Sequence, residues 1–117
     1  MTYDLIIIGA GPAGVSAGVY AARQRLKLLV ISKDIGGQVA KKAVDIENYP
    51  GFEKISGPDL VELYQKQIKA NNLEVMQDEV VNLEKKENFL VYGKSGKTYE
   101  ATSVIITSGA ESKKINI

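Results

Sequence analysis

Three glycines, Gly9, Gly11 and Gly14, break what would otherwise be one apolar stretch near the start of the chain. Leu5 to Ile8 form an apolar run before them, an Ala- and Gly-rich segment follows, and a second apolar run occupies Leu28 to Ile31. The order reads as strand, tight turn, helix, strand. In a dinucleotide-binding unit this spacing has a mechanical sense: Gly9 allows the sharp turn, Gly11 lets a pyrophosphate approach bare backbone, and Gly14 lets helix and strand pack closely. Pro12 suits the first helical position, where its missing N–H costs nothing, and the free N–H groups beyond it face the anion. The plainer reading is a turn that only lets a helix lie on a sheet. The strand before the triplet and the strand after the helix are the context that favours the dinucleotide.

The chain of 117 residues, 44% hydrophobic and 25% charged, suits one packed core and is too short for two domains. No apolar run approaches the roughly 18 residues of a membrane span, and no basic region precedes the first one, so the expected location is the cytoplasm. With 15 basic and 14 acidic residues the formal net charge is +1, which makes no electrostatic case for nucleic acid or an anionic membrane. Cysteine and histidine are both absent. That excludes a disulfide framework, a redox Cys pair, a Cys/His metal site and a His general base within this chain, so any electron chemistry must sit on a bound cofactor.

A helix is predicted from Pro12 to about Gln24, with Gly18 tolerated because a strand or a ligand comes close. At the end of the second strand, where an Asp or Glu commonly bonds a ribose hydroxyl about 20 residues past the glycines, stands Ser32. Lys33 is next and Asp34 two positions late. Asp34 reaches the ribose only if the strand ends late, and Lys33 leaves a 2′-phosphate reader, and so an NADP site, as an alternative. Lys33 to Ile55 is the least regular stretch. There Gly36 and Gly37 can bring backbone N–H groups to a ligand, Gln38 to Ala43 suit a short helix, and Pro50-Gly51 a turn; the plain alternative is an ordinary surface loop.

Ser56-Gly-Pro-Asp59 resembles a capping box, followed by Leu60, Leu63, Tyr64 and Ile68 at helical spacing up to Asn71-Asn72. This second helix should pack on the sheet. Short strands are predicted at Leu73–Met76, Glu79–Leu83, Asn88–Tyr92 and Thr98–Ala101, forming a small antiparallel meander with one wet face. Val104 to Ile106 read as a last, buried strand, capped by Thr107-Ser-Gly-Ala110 at the strand end, where open α/β sheets bind ligands.

With these residues in order, the chain resembles the amino-terminal FAD-binding portion of the thioredoxin reductase group of pyridine nucleotide-disulfide oxidoreductases. The resemblance runs from Tyr3 to about Ala110. It rests on Gly9-Ala-Gly-Pro-Ala-Gly14, Gly36-Gly-Gln38, Glu47-Asn-Tyr-Pro-Gly51 and Ile105-Ile-Thr-Ser-Gly-Ala110, the last in place of the family's usual Ala-Thr-Gly. It implies a three-layer α/β, Rossmann-like FAD-binding domain, a parallel sheet with a small antiparallel β-meander, with residues 1–117 as a single, incomplete domain. It further implies that Gly9, Gly11, Pro12, Ala13 and Gly14 surround the FAD pyrophosphate. Gly36 would also bind the cofactor, Gly37 and Gln38 would follow the ribityl chain, Asn48 would lie near the flavin ring, and the Val80 backbone beside the adenine. Thr107, Ser108 and Gly109 would close the pocket. Ser32 replaces the ribose-binding acid, and Ser112 and Lys113 stand where the family often has Pro and Arg.

In that family the chain continues into an NADPH domain bearing Cys-x-x-Cys and then returns to the FAD domain with a further strand. The resemblance therefore implies part of an NAD(P)H-dependent flavin oxidoreductase that is inactive by itself, with the NAD(P)H domain supplied by further chain or by a partner. Alternatives are a stand-alone FAD or adenine-nucleotide module serving a partner subunit, and an NAD(P)-binding domain without flavin. If the returning strand is missing, the edge from Ser103 to Thr107 stays unpaired, and homodimer formation or other self-association is expected.

Overall fold

The computed structural model describes residues 1–36, 45–46 and 50–107. In chain order these form β1 (Thr2–Ala10), α1 (Pro12–Arg23), β2 (Leu28–Ile35), β3 (Asp45–Ile46), β4 (Ile55–Ser56), α2 (Gly57–Ala70), β5 (Val75–Gln77), β6 (Val80–Lys85), β7 (Phe89–Gly93) and β8 (Thr98–Ile106). Six strands make one sheet in the order β5-β2-β1-β8-β7-β6, and β3 pairs with β4 separately. β1 lies parallel to both β2 and β8, and β2 parallel to β5. β6, β7 and β8 are antiparallel neighbours.

β1 is continuously apolar from Leu5 to Ile8 because both its faces are covered there, as parallel strands require. Leu5 and Ile7 cluster with Leu28, Val30 and the small side chains Ala17, Ala21 and Ala22 of α1. Ile6 and Ile8 cluster on the other face with Leu29, Ile31, Leu83, Val91 and Tyr99. Ile6, Ile7, Leu29 and Ile31 are fully buried, each contributing about 1.5–3 kcal/mol of transfer free energy.

The second face is covered by the sheet itself. β5 and β6 stand at opposite edges, which in a flat six-stranded sheet would lie about 24 Å apart at the usual strand spacing. Only Asp78 and Glu79 join them, a link that reaches about 11 Å at most. The β6–β8 meander must therefore fold back over β1 and β2, and helices, parallel strands and meander make the expected three layers.

Several sequence-based expectations are met closely. α1 ends at Arg23, Pro50-Gly51 is a turn, and α2 begins where Ser56 Oγ accepts a hydrogen bond from the Asp59 amide at 3.2 Å. Others are corrected. The strand near Leu73–Met76 does not belong to the meander: it forms as β5 and pairs parallel to β2, because α2 carries the chain back along the sheet to β2's open edge. Thr98–Ala101 and Val104–Ile106 are one strand, β8, rather than two. The end of β8 is not buried either, since Ile105 and Ile106 are 40% and 44% exposed. β7 pairs with β8 no further than Ala101, so among the described residues nothing flanks the far edge of Ser103–Ile106.

α2 also leans less on the sheet than expected. Its buried Leu60 and Tyr64 cluster with Val15 and Val19 of α1 and with Ile46 and Ile55 of the β3–β4 pair. A methyl group at Gly18 would lie 3.1 Å from Leu73 Cδ1 and 3.7 Å from Val30 Cγ2, so protein packing rather than a ligand accounts for that glycine. No helix among the described residues is long and apolar enough to cross a membrane.

Candidate functional site

The chain leaves β1 through Gly9, whose φ of 106° lies in the left-handed region that glycine alone enters freely. Gly11 is the residue before α1 and Pro12 its first residue. No side chain caps this helix start and no acidic residue lies in its first turn. The start of α2 is different: Ser56 supplies the cap and Asp59 the acid. α1 thus keeps its partial positive charge and its first N–H groups facing outward, which is the arrangement that attracts an anion.

Gly11 and Gly14 differ in what surrounds them. A Cβ at Gly14 would lie 1.9 Å from the Gly9 carbonyl oxygen and 2.7 Å from Thr107 Oγ1. The turn, the helix and the end of β8 meet there, so the fold itself demands glycine. At Gly11 the backbone angles are φ −78° and ψ −168°, open to any residue. A Cβ there would meet nothing nearer than the Gly36 carbonyl oxygen at 3.7 Å. Among the described residues no side chain fills this notch, and neither conformation nor packing requires it to stay bare.

Gly36, with φ 97°, closes one side by donating its N–H to the Ala10 carbonyl at 2.6 Å. Ser32 is buried, and its hydroxyl accepts from the Ala10 amide at 3.1 Å while donating to the Asp34 carbonyl. The residue standing where a ribose-binding acid was expected thus has its single O–H donor committed to Asp34 within β2, while the bond it accepts from Ala10 holds β2 against the glycine turn; a remaining lone pair is all it offers to a ligand. Asp34 itself is exposed. Thr107 donates its amide to the Ile8 carbonyl at 2.7 Å, and its hydroxyl lies 2.9 Å from that oxygen and 3.1 Å from the Gly9 carbonyl. Gly9, Gly11, Pro12, Ala13, Gly14, Ser32, Gly36 and Thr107 are therefore brought together around one notch. Gly37, Gln38, Asn48, Ser108 and Gly109 lie outside the described residues.

Val80 begins β6 beside the same end of the sheet, because Asp78 donates its amide to the Ser32 carbonyl at 3.0 Å and Gln77 Nε2 bonds the Lys33 carbonyl at 3.3 Å. Lys33 Nζ lies 3.9 Å from Glu79 Oε1. The cation considered as a 2′-phosphate reader therefore already has an acidic neighbour.

Sequence reasoning did not find Asp78. This buried carboxylate accepts from Ser95 Oγ at 2.6 Å, Tyr99 OH at 2.8 Å, the Glu79 amide at 2.8 Å and the Ser95 amide at 3.2 Å. Burial alone would raise its pKa, but the bonds from Ser95, Tyr99 and the two amides together hold it below its ordinary value. Burial, and next the Asp78 carboxylate, push Tyr99 up to about 12. In sequence Asp78 resembles any acidic residue in a short connection, and no signal gives its burial away.

The profile of the pyridine nucleotide-disulphide oxidoreductase family matches residues 3–117. A thioredoxin reductase of Bacillus subtilis is 43% identical over 116 residues, covering 98% of this chain and 36% of the relative. One from Rickettsia prowazekii is 43% identical over 120 residues, covering 100% and 38%. Among solved structures, thioredoxin reductase from Streptococcus pyogenes superposes with a TM-score of 0.86 at 38% identity, over 97% of this chain and 37% of that one. A ferredoxin-flavin thioredoxin reductase from Clostridium acetobutylicum does so with a TM-score of 0.86 at 36% identity, over 97% and 40%. The chain thus spans well under half the length of each of these relatives.

Proposed function

Since the chain belongs to the pyridine nucleotide-disulphide oxidoreductases, we propose that it is the FAD-binding portion of an NAD(P)H-dependent flavin oxidoreductase of thioredoxin reductase type. The observation that carries this reading is the bare notch at Gly11. Glycine is required there by neither backbone angle nor any neighbour among the described residues, and the uncapped start of α1 opens beside it. A diphosphate accounts for both features, since it needs the volume a side chain would take and the N–H groups that no side chain caps. The flavin named for the Clostridium acetobutylicum relative supports FAD as the dinucleotide.

In this reading Gly11 and the Ala13 and Gly14 amides bind the diphosphate, Gly36 lines the notch, and Thr107 and Ser32 hold its walls in register through the β1 carbonyls and the Ala10 amide. Gly37, Gln38 and Asn48 would approach the ribityl chain and flavin, and Ser108 and Gly109 would help close the pocket. FAD, when bound, supplies the two-electron acceptor that passes electrons from a nicotinamide to a disulfide. The chain has no Cys, so a thiol pair would belong to other segments of a full-length enzyme or to a partner; in this reading the nicotinamide site lies there too, and the 117 residues alone are expected not to turn over.

The test is cofactor retention. After addition of FAD and removal of the excess, the purified chain should keep flavin absorption. Gly11→Val should weaken FAD binding by about tenfold or more, equivalent to about 1.4 kcal/mol, without lowering the unfolding midpoint. Equal retention by wild type and Gly11→Val would refute the assignment.

A further inference from the structure

The Asp78 carboxylate is more elaborately held than a surface turn needs. Oδ1 takes the Glu79 and Ser95 amides, and Oδ2 takes the Ser95 and Tyr99 hydroxyls. Gly93 gives it room, since a Cβ there would lie 2.1 Å from Oδ2. With all four donors in place the carboxylate has nothing left to offer a ligand, and whatever it does it does through the backbone of the two-residue link between β5 and β6. That link is fixed on three sides: by the carboxylate, by the Asp78 amide on the Ser32 carbonyl at 3.0 Å, and by the Lys94 amide on the Glu79 carbonyl at 2.7 Å.

The bond from Lys94 to Glu79 also sets how Val80 faces. Val80 stands opposite Gly93, and in an antiparallel ladder a bond between their outer neighbours makes this the non-hydrogen-bonded pair. The N–H and C=O of Val80 therefore turn away from β7, toward the edge of the sheet that β6 forms. They lie side by side, one donor and one acceptor. The Watson–Crick edge of adenine presents the complement, an acceptor at N1 and a donor at N6. Hypoxanthine presents the reverse, and with the ribose fixed by the diphosphate it cannot turn over to compensate.

We propose that Asp78 is the positioning residue for base recognition, its bonds to Ser95, Tyr99 and the Glu79 amide aiming the Val80 backbone at the adenine end of the dinucleotide. This rests on the dinucleotide reading above. The experiment measures affinities of the wild-type chain for ADP, IDP and inorganic pyrophosphate, then repeats them for Asp78→Asn, Ser95→Ala and Tyr99→Phe, with the folded state checked by circular dichroism.

Wild type should prefer ADP to IDP by about tenfold, the scale of a mismatched hydrogen-bond pair. The variants should lose most of that preference while keeping their affinity for pyrophosphate. A role confined to stability would lower all three affinities together or none. Should Asp78→Asn not fold, the milder Ser95→Ala and Tyr99→Phe decide the matter. A preference for ADP retained in the folded variants overturns the role of Asp78 and leaves the dinucleotide site standing, as does a wild type that does not distinguish ADP from IDP. A wild type that binds none of the three ligands overturns the site and this inference with it.

Discussion

Gly11 and Gly14 stand one helical turn apart, yet a methyl group meets very different neighbours at the two. At Gly14 it would press on the Gly9 carbonyl oxygen at 1.9 Å, and main chain cannot swing aside as the end of a flexible side chain can. Gly14→Ala should therefore destabilise the fold by about 1–3 kcal/mol, read as a lower urea midpoint. Gly11→Ala should stay within about 0.5 kcal/mol of wild type in the same titration, because the nearest atom among the described residues is at 3.7 Å. The glycine pattern was legible in sequence at every position. What it could not convey is that one glycine serves the fold and the other leaves a space.

The helices end alike, with unlike residues in the critical place. Beyond α2 the Leu73 amide bonds the Ile68 carbonyl at 3.0 Å and the Asn72 amide the Lys69 carbonyl at 3.1 Å, with Asn72 at φ 53°. Beyond α1 the Leu26 amide reaches the Ala21 carbonyl at 3.4 Å and the Arg25 amide the Ala22 carbonyl at 3.1 Å, with Arg25 at φ 59°. Both are left-handed C-terminal caps, a conformation that suits glycine and tolerates asparagine, but costs a residue such as arginine about 1–2 kcal/mol. Arg25 is exposed, so little packing is lost with it. Arg25→Gly is expected to stabilise the chain by about 0.5–1 kcal/mol, seen as a raised thermal midpoint. The start of α2 was readable from Ser56 and Asp59. The end of α1 was readable to within a residue, but the left-handed turn at Arg25 that closes it was not, because no glycine or asparagine marks it.

Two properties belong to the whole molecule. The first is pH dependence, set where the meander is tied to the end of the parallel strands. Asp78 is held below its ordinary value of 3.8, so the stability it contributes is present above that value and lost as pH falls through its folded pKa. Tyr99 is raised from 10.0 to about 12, so its contribution is full below pH 10 and lost as pH climbs toward 12. Unfolding free energy measured from pH 2 to 6 should fall less steeply on the acid side in Asp78→Asn than in wild type. The second property is association. The far edge of Ser103–Ile106 has no strand beside it among the described residues, and Ile105 and Ile106 are exposed there. Such an edge templates pairing with another chain. Light scattering of the 117-residue polypeptide should show dimers or larger species whose mass rises with concentration, and a monodisperse monomer at high concentration would contradict this.

Periodicity and turn chemistry, which are local, were enough to read β1, the glycine turn, both helices and most of the meander from the amino-acid order. Leu5 to Ile8 had to be a strand covered on both faces, and Ser56 had to begin a helix, whatever lay elsewhere in the chain. Partners distant in sequence followed different rules. The pairing of β5 with β2, the continuity of β8, the commitment of the Ser32 hydroxyl to Ala10 and Asp34, and the four donors on Asp78 depend on which segments meet once the sheet folds over itself. A short strand pairs equally well with several neighbours, and a carboxylate in a loop is either solvated or buried according to what closes above it. Such choices are made by closing the core, where every strand must find cover at once.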